Sequence, residues 1–235
     1  QKAFQAADTI GADLVLIHMN TYGGLVDMAD SIRTKILNSK IPVFVFIDDN
    51  AASAGALISI ACDSIYMRPG AKIGAATVVN QTGEQVPDKY QSYMRATMRA
   101  TAESHGKIMQ VEEGDTTYRW RRDPRIAEAM VDPRIMVPGI SDSGQVITFT
   151  AEEAVQYNYC EGIAANISEV IELAGIDNYE IIDYTPSGVD RIISFLLSPI
   201  LQSLLIMIII GGLYFELQTP GIGFPLGAAV LAAIL

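Results

Sequence analysis

Three observations predict an α/β fold with a largely parallel sheet, joined to C-terminal transmembrane helices. Short uninterrupted apolar runs of strand length recur along the first part of the 235 residues. They alternate with stretches whose apolar residues fall three and four apart, the helical spacing. Strands covered on both faces by helices read as such runs, which favours parallel pairing. From Ile192 onward the chain becomes far more apolar than before it.

Residues 4–11 read as the end of a helix. Asp13 to Met19 is a strand buried on both faces, because Leu14, Val15, Leu16 and Ile17 form one apolar run. Asn20-Thr21-Tyr22-Gly23-Gly24 turns the chain, after which Leu25, Met28, Ala29, Ile32 and Ile36 keep helical spacing. Pro42 to Ile47 is a second buried strand, and Ala52 to Cys62 is a helix of small and apolar residues. Ser64 to Met67 is a short strand that stops at the Pro69-Gly70 turn, and Ile73 to Val79 is extended. A long helix runs from Pro87, favoured in a first helical turn, to the stop signal Gly106.

Residues 107–149 read as an irregular, polar insertion, with Arg119, Arg121, Arg122 and Arg125 around Trp120. Thr150-Ala151-Glu152-Glu153 is a capping box that opens another helix. Gly162 follows it, then a strand near Ile163 to Ile167, and Tyr179 to Tyr184 forms a last strand. This organisation gives one domain over 1–185 and a membrane region over 186–235. Ile192 to Tyr214 carries no charged residue, and a run of roughly 20 residues or more crosses the ~30 Å hydrocarbon core as a helix. A second uncharged run follows the Thr219-Pro220-Gly221 break, giving a truncated helix over 221–235. Gln1 falls inside an amphipathic stretch, and the last span stops with the chain. The sequence therefore reads as a piece of a longer membrane protein.

The formal net charge of −11 argues against a nucleic-acid partner, since neutralising phosphates needs clustered Lys and Arg. The arginines around Trp120 read instead as a solvated insertion near the membrane or a partner. Cys62 and Cys160 have neither metal-ligand spacing nor a CxxC pattern, and Cys62 reads as core. Nothing implies a metal or a cofactor.

The run Asn50-Ala51-Ala52-Ser53-Ala54-Gly55 holds the candidate catalytic residue. Ser53 stands where a strand ends and a helix begins, so unpaired N–H groups and a positive dipole end lie beside it. Small neighbours let a substrate backbone come close. Gly23-Gly24 ends the preceding strand, and parallel strand ends converge on one edge of a sheet. The N–H groups of Gly24 and Ala54 are therefore candidate oxyanion donors for Ser53.

A serine nucleophile needs a base. His18 falls inside a strand, as a packed or hydrogen-bonded residue, and His105 falls at the exposed far end of the long helix. Neither suits the role. A desolvated lysine can act as a base. Lys89, in the first turn of the long helix, and Lys72, after the Pro69-Gly70 turn, are the candidates among the six lysines.

With these residues in place the chain resembles the long-form NfeD proteins, or stomatin operon partners, which are membrane-bound serine proteases of the ClpP/crotonase superfamily. Asn20-Thr21-Tyr22-Gly23-Gly24, Ala51-Ala52-Ser53-Ala54-Gly55 and Pro69-Gly70-Ala71-Lys72-Ile73-Gly74-Ala75 resemble three of the family's motifs. Thr150-Ala151-Glu152-Glu153-Ala154 with Gly162-Ile163, and Phe215-Glu216-Leu217-Gln218-Thr219-Pro220-Gly221, resemble two more, in the same order. The resemblance implies a ClpP-like domain with a Ser–Lys dyad of Ser53 and Lys89, and demotes Lys72. It implies Gly24 and Ala54 as oxyanion donors, and cleavage in apolar peptide segments. It also implies a stomatin-like membrane protein as partner, a homo-oligomer, and a multi-pass protein whose peptidase domain is extracytoplasmic. Tyr22 and Asn20 depart from the family's proline and aspartate, and the Arg-rich stretch 119–134 is longer than its common pattern. Two other readings are a non-catalytic scaffold for a stomatin-like ring and an acyl-CoA enzyme of the crotonase type. The second would need acidic residues facing a thioester and a nucleotide site.

Overall fold

The computed structural model describes residues 2–112, 115–141, 144–218 and 223–234. The chain divides into two compact units, Gln1–Glu180 and Ile181–Leu235.

In the first unit α1 (Lys2–Ile10) leads to β1 (Val15–Thr21), α2 (Val26–Leu37) and β2 (Val43–Ala52). Then come α3 (Ala54–Ala61), β3 (Ser64–Met67), β4 (Lys72–Gly74) and α4 (Asp88–Glu103). The hairpin β5 (Lys107–Glu112) and β6 (Asp115–Trp120) precedes α5 (Pro124–Ala129), β7 (Thr148–Thr150), α6 (Ala151–Gln156), β8 (Gly162–Ile163) and α7 (Ile167–Leu173).

β2 is the axis of the main sheet. Val43–Ile47 pairs in parallel with Val15–Met19 of β1, and its Phe44–Ile47 part with β3 on the other edge. Its second half, Asn50–Ala52, pairs in parallel with β4. β8 extends the sheet beside β3, and β7 closes the far side antiparallel to β4. The β2 run Val43-Phe44-Val45-Phe46-Ile47 is buried almost throughout because helices cover both faces. α3 lies in the core as well, with every residue but Ile58 buried. Leu57, Ile60, Ile65, Met67, Ile73, Met98 and Met130 are among the fully buried large side chains. Burying each such side chain stabilises the fold by about 1.5–3 kcal/mol.

Four sequence expectations change here. β1 is half-buried, with only Met19 fully inside, because among the described residues it is paired on one edge alone. The stretch after Gly106 is not irregular: it opens with the β5–β6 hairpin and continues into α5. Nor is it wholly solvated, since Arg122 has no exposed surface. Tyr179 to Tyr184 forms no strand and is exposed throughout. His105 is tucked against the end of α3, where its Nε2 lies 2.7 Å from the carbonyl of Ile60.

The second unit holds α8 (Gly188–Leu196), α9 (Pro199–Gln218) and α10 (Phe224–Ile234). The apolar run 192–214 is thus not one helix, because the chain breaks between Leu197 and Pro199. α9 is long and apolar enough to cross a membrane, and its Leu201–Gln218 stretch is almost wholly exposed. α9 and α10 pack at Gly212, where a Cβ would strike the Pro225 carbonyl and approach the Ala229 Cβ to 2.9 Å. The Thr219-Pro220-Gly221 break lies outside the described residues.

Candidate active site

β2 delivers the chain to Ser53, and α3 starts one residue later. Ser53 has φ 55 and ψ −114. Positive φ is uncommon for a residue with a Cβ, and this ψ falls outside the small left-handed well. Such a conformation costs about 1–3 kcal/mol and persists only where its surroundings fix it. Here the Ser53 N–H donates to the Gly74 carbonyl at 2.9 Å. The Ser53 carbonyl accepts from Ala56 N–H at 3.0 Å and from Leu57 N–H at 3.4 Å. A serine on a strained strand-to-helix turn presents its hydroxyl outward, as in a nucleophile elbow.

Glycines shape the ground around it. A Cβ on Gly23 (φ 134) would lie 3.0 Å from Ser53 Cβ and 3.4 Å from its Oγ. Only glycine takes that backbone without strain, and only glycine leaves the hydroxyl clear. Thr21 ties the turn from within, because its Oγ1 accepts from Gly23 N–H at 3.2 Å and donates to Gly23 O at 3.1 Å. A Cβ on Gly55 would meet Thr21 Cγ2 at 2.7 Å, so α3 starts hard against the end of β1. Gly74 (φ 138) leaves no room for a Cβ against the Ile147 carbonyl.

These residues surround a cavity of about 460 Å³. Tyr22, Gly23, Gly24, Ser53 and Ala54 form one side. Val26, Val78, Val79, Met94 and Val146 make the rest largely apolar. Among the described residues no hydrogen-bond partner is recorded for the Ser53 hydroxyl or for the N–H groups of Gly24 and Ala54. The Ser53 hydroxyl and these two N–H groups thus border one open space. Gln91, buried in α4, was not expected at the site. Its side-chain amide accepts from Val78 N–H at 3.0 Å and donates to Val78 O at 2.6 Å, fixing that wall as a neighbouring strand would.

Neither candidate lysine lines the cavity. Lys89 is exposed, with its ammonium 4.7 Å from the ring centre of Tyr90. It lies two residues before Gln91, and at 100° per residue that places it about 160° around α4 from the inward face. Lys72 is exposed too, with its ammonium donating to the Gly70 carbonyl at 3.2 Å. His18 stacks on Phe46 and faces Asp48 at 3.5 Å. The sequence-predicted serine, glycine turn and oxyanion donors therefore come together, and the lysines stand apart.

Charged side chains meet at the first turn of α4. Arg134 Nη2 lies 2.6 Å from Asp88 and 2.6 Å from the buried Asp132, which also pairs with Arg95. These partners, Arg134 first, hold the Asp132 carboxyl at about 2. The folded value lies below the ordinary ~3.9 of an unfolded aspartate, so the contribution is complete above about pH 5 and fades as pH falls toward 2. Asp132→Asn is expected to flatten this acid limb. Urea unfolding of the two proteins along a descending pH series checks it, and parallel curves would remove the assignment.

An α/β domain with a nucleophile-type turn, followed by a helix of spanning length, defines a class of membrane-attached proteins. Within it the chain belongs to the NfeD1b family: the family described as NfeD1b, N-terminal domain, matches residues 1–184. The Membrane protein NfeD1b of Bacillus subtilis is 33% identical over 235 residues, covering 100% of this chain and 50% of that protein. The Membrane-bound protease PH1510 of Pyrococcus horikoshii is 26% identical over 253 residues, covering 97% of this chain and 51% of the relative. The chain thus spans about half the length of these relatives. Two solved structures of the 1510-N membrane-bound stomatin-specific protease share the fold. A lysine-to-alanine variant with a substrate peptide has TM-score 0.64 and 24% identity, covering 83% of this chain and 88% of that one. A serine-to-alanine variant has TM-score 0.58 and 26% identity, covering 73% and 74%.

Proposed function

We propose that the chain is the catalytic and membrane-proximal part of a membrane-bound serine endopeptidase. The observation that carries the reading is Ser53, held strained at the head of α3 beside the apolar cavity, where among the described residues neither its hydroxyl nor the N–H groups of Gly24 and Ala54 have a partner. The hydroxyl attacks the scissile carbonyl, and the Ser53 proton passes to the amine of Lys89, which later gives it to the leaving amine. The tetrahedral oxyanion forms beside Gly24 and Ala54, where one such donor is worth roughly 10²–10³ in rate. The valines and Met94 around the cavity suit apolar side chains of a peptide. The 1510-N membrane protease of Pyrococcus horikoshii is specific for a stomatin homologue. We extend that partner to this chain, as a homo-oligomer with the domain on the extracytoplasmic side.

For Lys89 to serve Ser53, the first turn of α4 must open and swing the side chain inward. The outer side of that turn is weakly held, although Gln91 anchors its inner side to Val78. The N-cap, Pro87, makes no side-chain cap bond, and the Asp88–Arg134 pair is exposed, a kind of pair worth at most about 1 kcal/mol.

The outward Lys89 favours one other reading, the non-catalytic scaffold for a stomatin-like ring. A fluorophosphonate probe on the full-length protein, with the labelled residue mapped, separates the two. Label on Ser53 is expected, together with loss of peptide cleavage in Ser53→Ala and Lys89→Ala and its retention in Lys72→Ala. Cleavage that survives Ser53→Ala sinks the mechanism. An unlabelled Ser53 in an intact protein selects the scaffold.

A further inference from the structure

The break between α8 and α9 carries more than a corrected boundary. On an α-helical wheel Val189, Ile192, Ile193 and Leu196 fall within an arc of about 100°, with Phe195 about 60° beyond its edge. Asp190, Arg191 and Ser194 fill the opposite arc. Val189, Ile192, Ile193 and Phe195 are each at least 45% exposed, so the unit they belong to leaves this face uncovered. α9 differs: its polar residues Gln202, Ser203, Glu216 and Gln218 lie near its ends, and Leu204–Phe215 between them is apolar on every side.

The corner between them is built rather than frayed. Ser187 and Asp190 form a capping box at the start of α8. At its end the Gln202 side chain reaches back from α9 to donate to the Leu196 carbonyl at 3.0 Å. The Ser198 hydroxyl accepts from Leu201 N–H at 3.4 Å, and Pro199 brings no N–H to the start of α9. Backbone groups near hydrocarbon are costly unless paired, and here both helix ends have partners.

We propose that α8 lies flat in the lipid–water interface as an amphipathic anchor, with its apolar arc in the acyl boundary, and that the span begins at α9. The occupant of that face is a bilayer because only Leu197 and Ser198 separate α8 from a helix of spanning length. A nine-residue helix joined so closely to a span stays within about 20 Å of the membrane surface. Asp190 and Arg191 cancel in charge, so apolar burial drives the contact rather than attraction to anionic lipid. This rests on the membrane attachment proposed above.

The test uses the full-length protein in phosphatidylcholine vesicles, with an environment-sensitive fluorophore on Arg191→Cys, Ile193→Cys or Met207→Cys. The chain's own cysteines are buried and stay unlabelled. The Ile193 probe is expected to be quenched by nitroxide placed near the lipid headgroup, and several-fold less by aqueous iodide than the Arg191 probe. The Met207 probe is expected to respond to nitroxide deep in the acyl chains. Depth that rises steadily through 189–196 would make α8 part of one continuous span and overturn the proposal. So would iodide access at every α8 position while Met207 stays in lipid. Iodide access at Met207 removes the membrane attachment itself, and the anchor with it.

Discussion

Arg122→Met is expected to destabilise the first unit by about 3–5 kcal/mol, the usual cost of removing one partner from a buried charged network. Arg122 is completely buried, and its Nη1 donates to the carbonyls of Cys62 at 3.0 Å and Ile60 at 3.5 Å. Its Nη2 donates to Asp63 O at 3.3 Å and to Glu161 at 3.2 Å. Those carbonyls end α3, where a helix leaves C=O groups without internal partners. A cation there also suits the helix dipole. Burial works against the charge of Arg122, and Glu161 beside it works in favour. Methionine fills similar space but takes the guanidinium donor from the Cys62 carbonyl, while His105 stays at the Ile60 carbonyl and Arg121 at that of Asp63. It also leaves Glu161, whose Oε2 accepts from Ile65 N–H at 2.6 Å, with only the partly exposed Arg121. Arg121→Met is the comparison, since an exposed pair is worth at most about 1 kcal/mol. Urea unfolding of both variants decides the matter, and equal losses would show that Arg122 is not the staple of α3. Ser53 stands at the other end of the same helix, so activity should fall with stability.

What the sequence could reveal depended on how local the cause was. Val43 to Ile47 and Ser64 to Met67 were readable because a strand covered on both faces must be apolar throughout. Thr150 to Glu153 was readable because a capping box is complete within four residues. Ser53 and Gly23 were readable because parallel strand ends meet at one edge, although nothing local shows that φ at Ser53 is positive. Arg122 was missed because an arginine among polar residues looks solvated, and its partners are remote, three carbonyls about 60 positions earlier and Glu161 39 positions later. His105 was missed for the same reason. Tyr179 to Tyr184 has β-forming residues, but a strand also needs an edge to pair with. The α8–α9 corner was hidden because hydropathy alone does not separate an interfacial helix from a spanning one. Ser198-Pro199 was the available signal. For Lys89, a motif position fixes the place in the chain but not the face of the helix. The structure turns that face outward.

Ser53→Gly is expected to abolish peptide cleavage while raising stability by about 1 kcal/mol, because glycine removes the strain of a side chain at φ 55. Loss of a serine nucleophile costs roughly 10⁶ in turnover when it acts with its base as a unit. The stability gain has two opposing parts. Relief of strain contributes about 1–3 kcal/mol, and the greater freedom of glycine in the unfolded chain offsets about 0.5–1 kcal/mol of it. Ser53→Ala removes the hydroxyl but keeps the Cβ, so it should stay close to the parent in stability and equally inactive. Thermal unfolding of the three proteins under one condition separates hydroxyl from backbone. A Ser53→Gly chain less stable than Ser53→Ala would show that the turn is not strained. The expected order has a structural cause. The Ser53 N–H is held by Gly74 on β4 and its carbonyl by the first turn of α3. The dihedral between them is set by the sheet and the helix rather than by the serine. Here the elements that bring a hydroxyl out over an apolar cavity force its residue through an unfavourable angle.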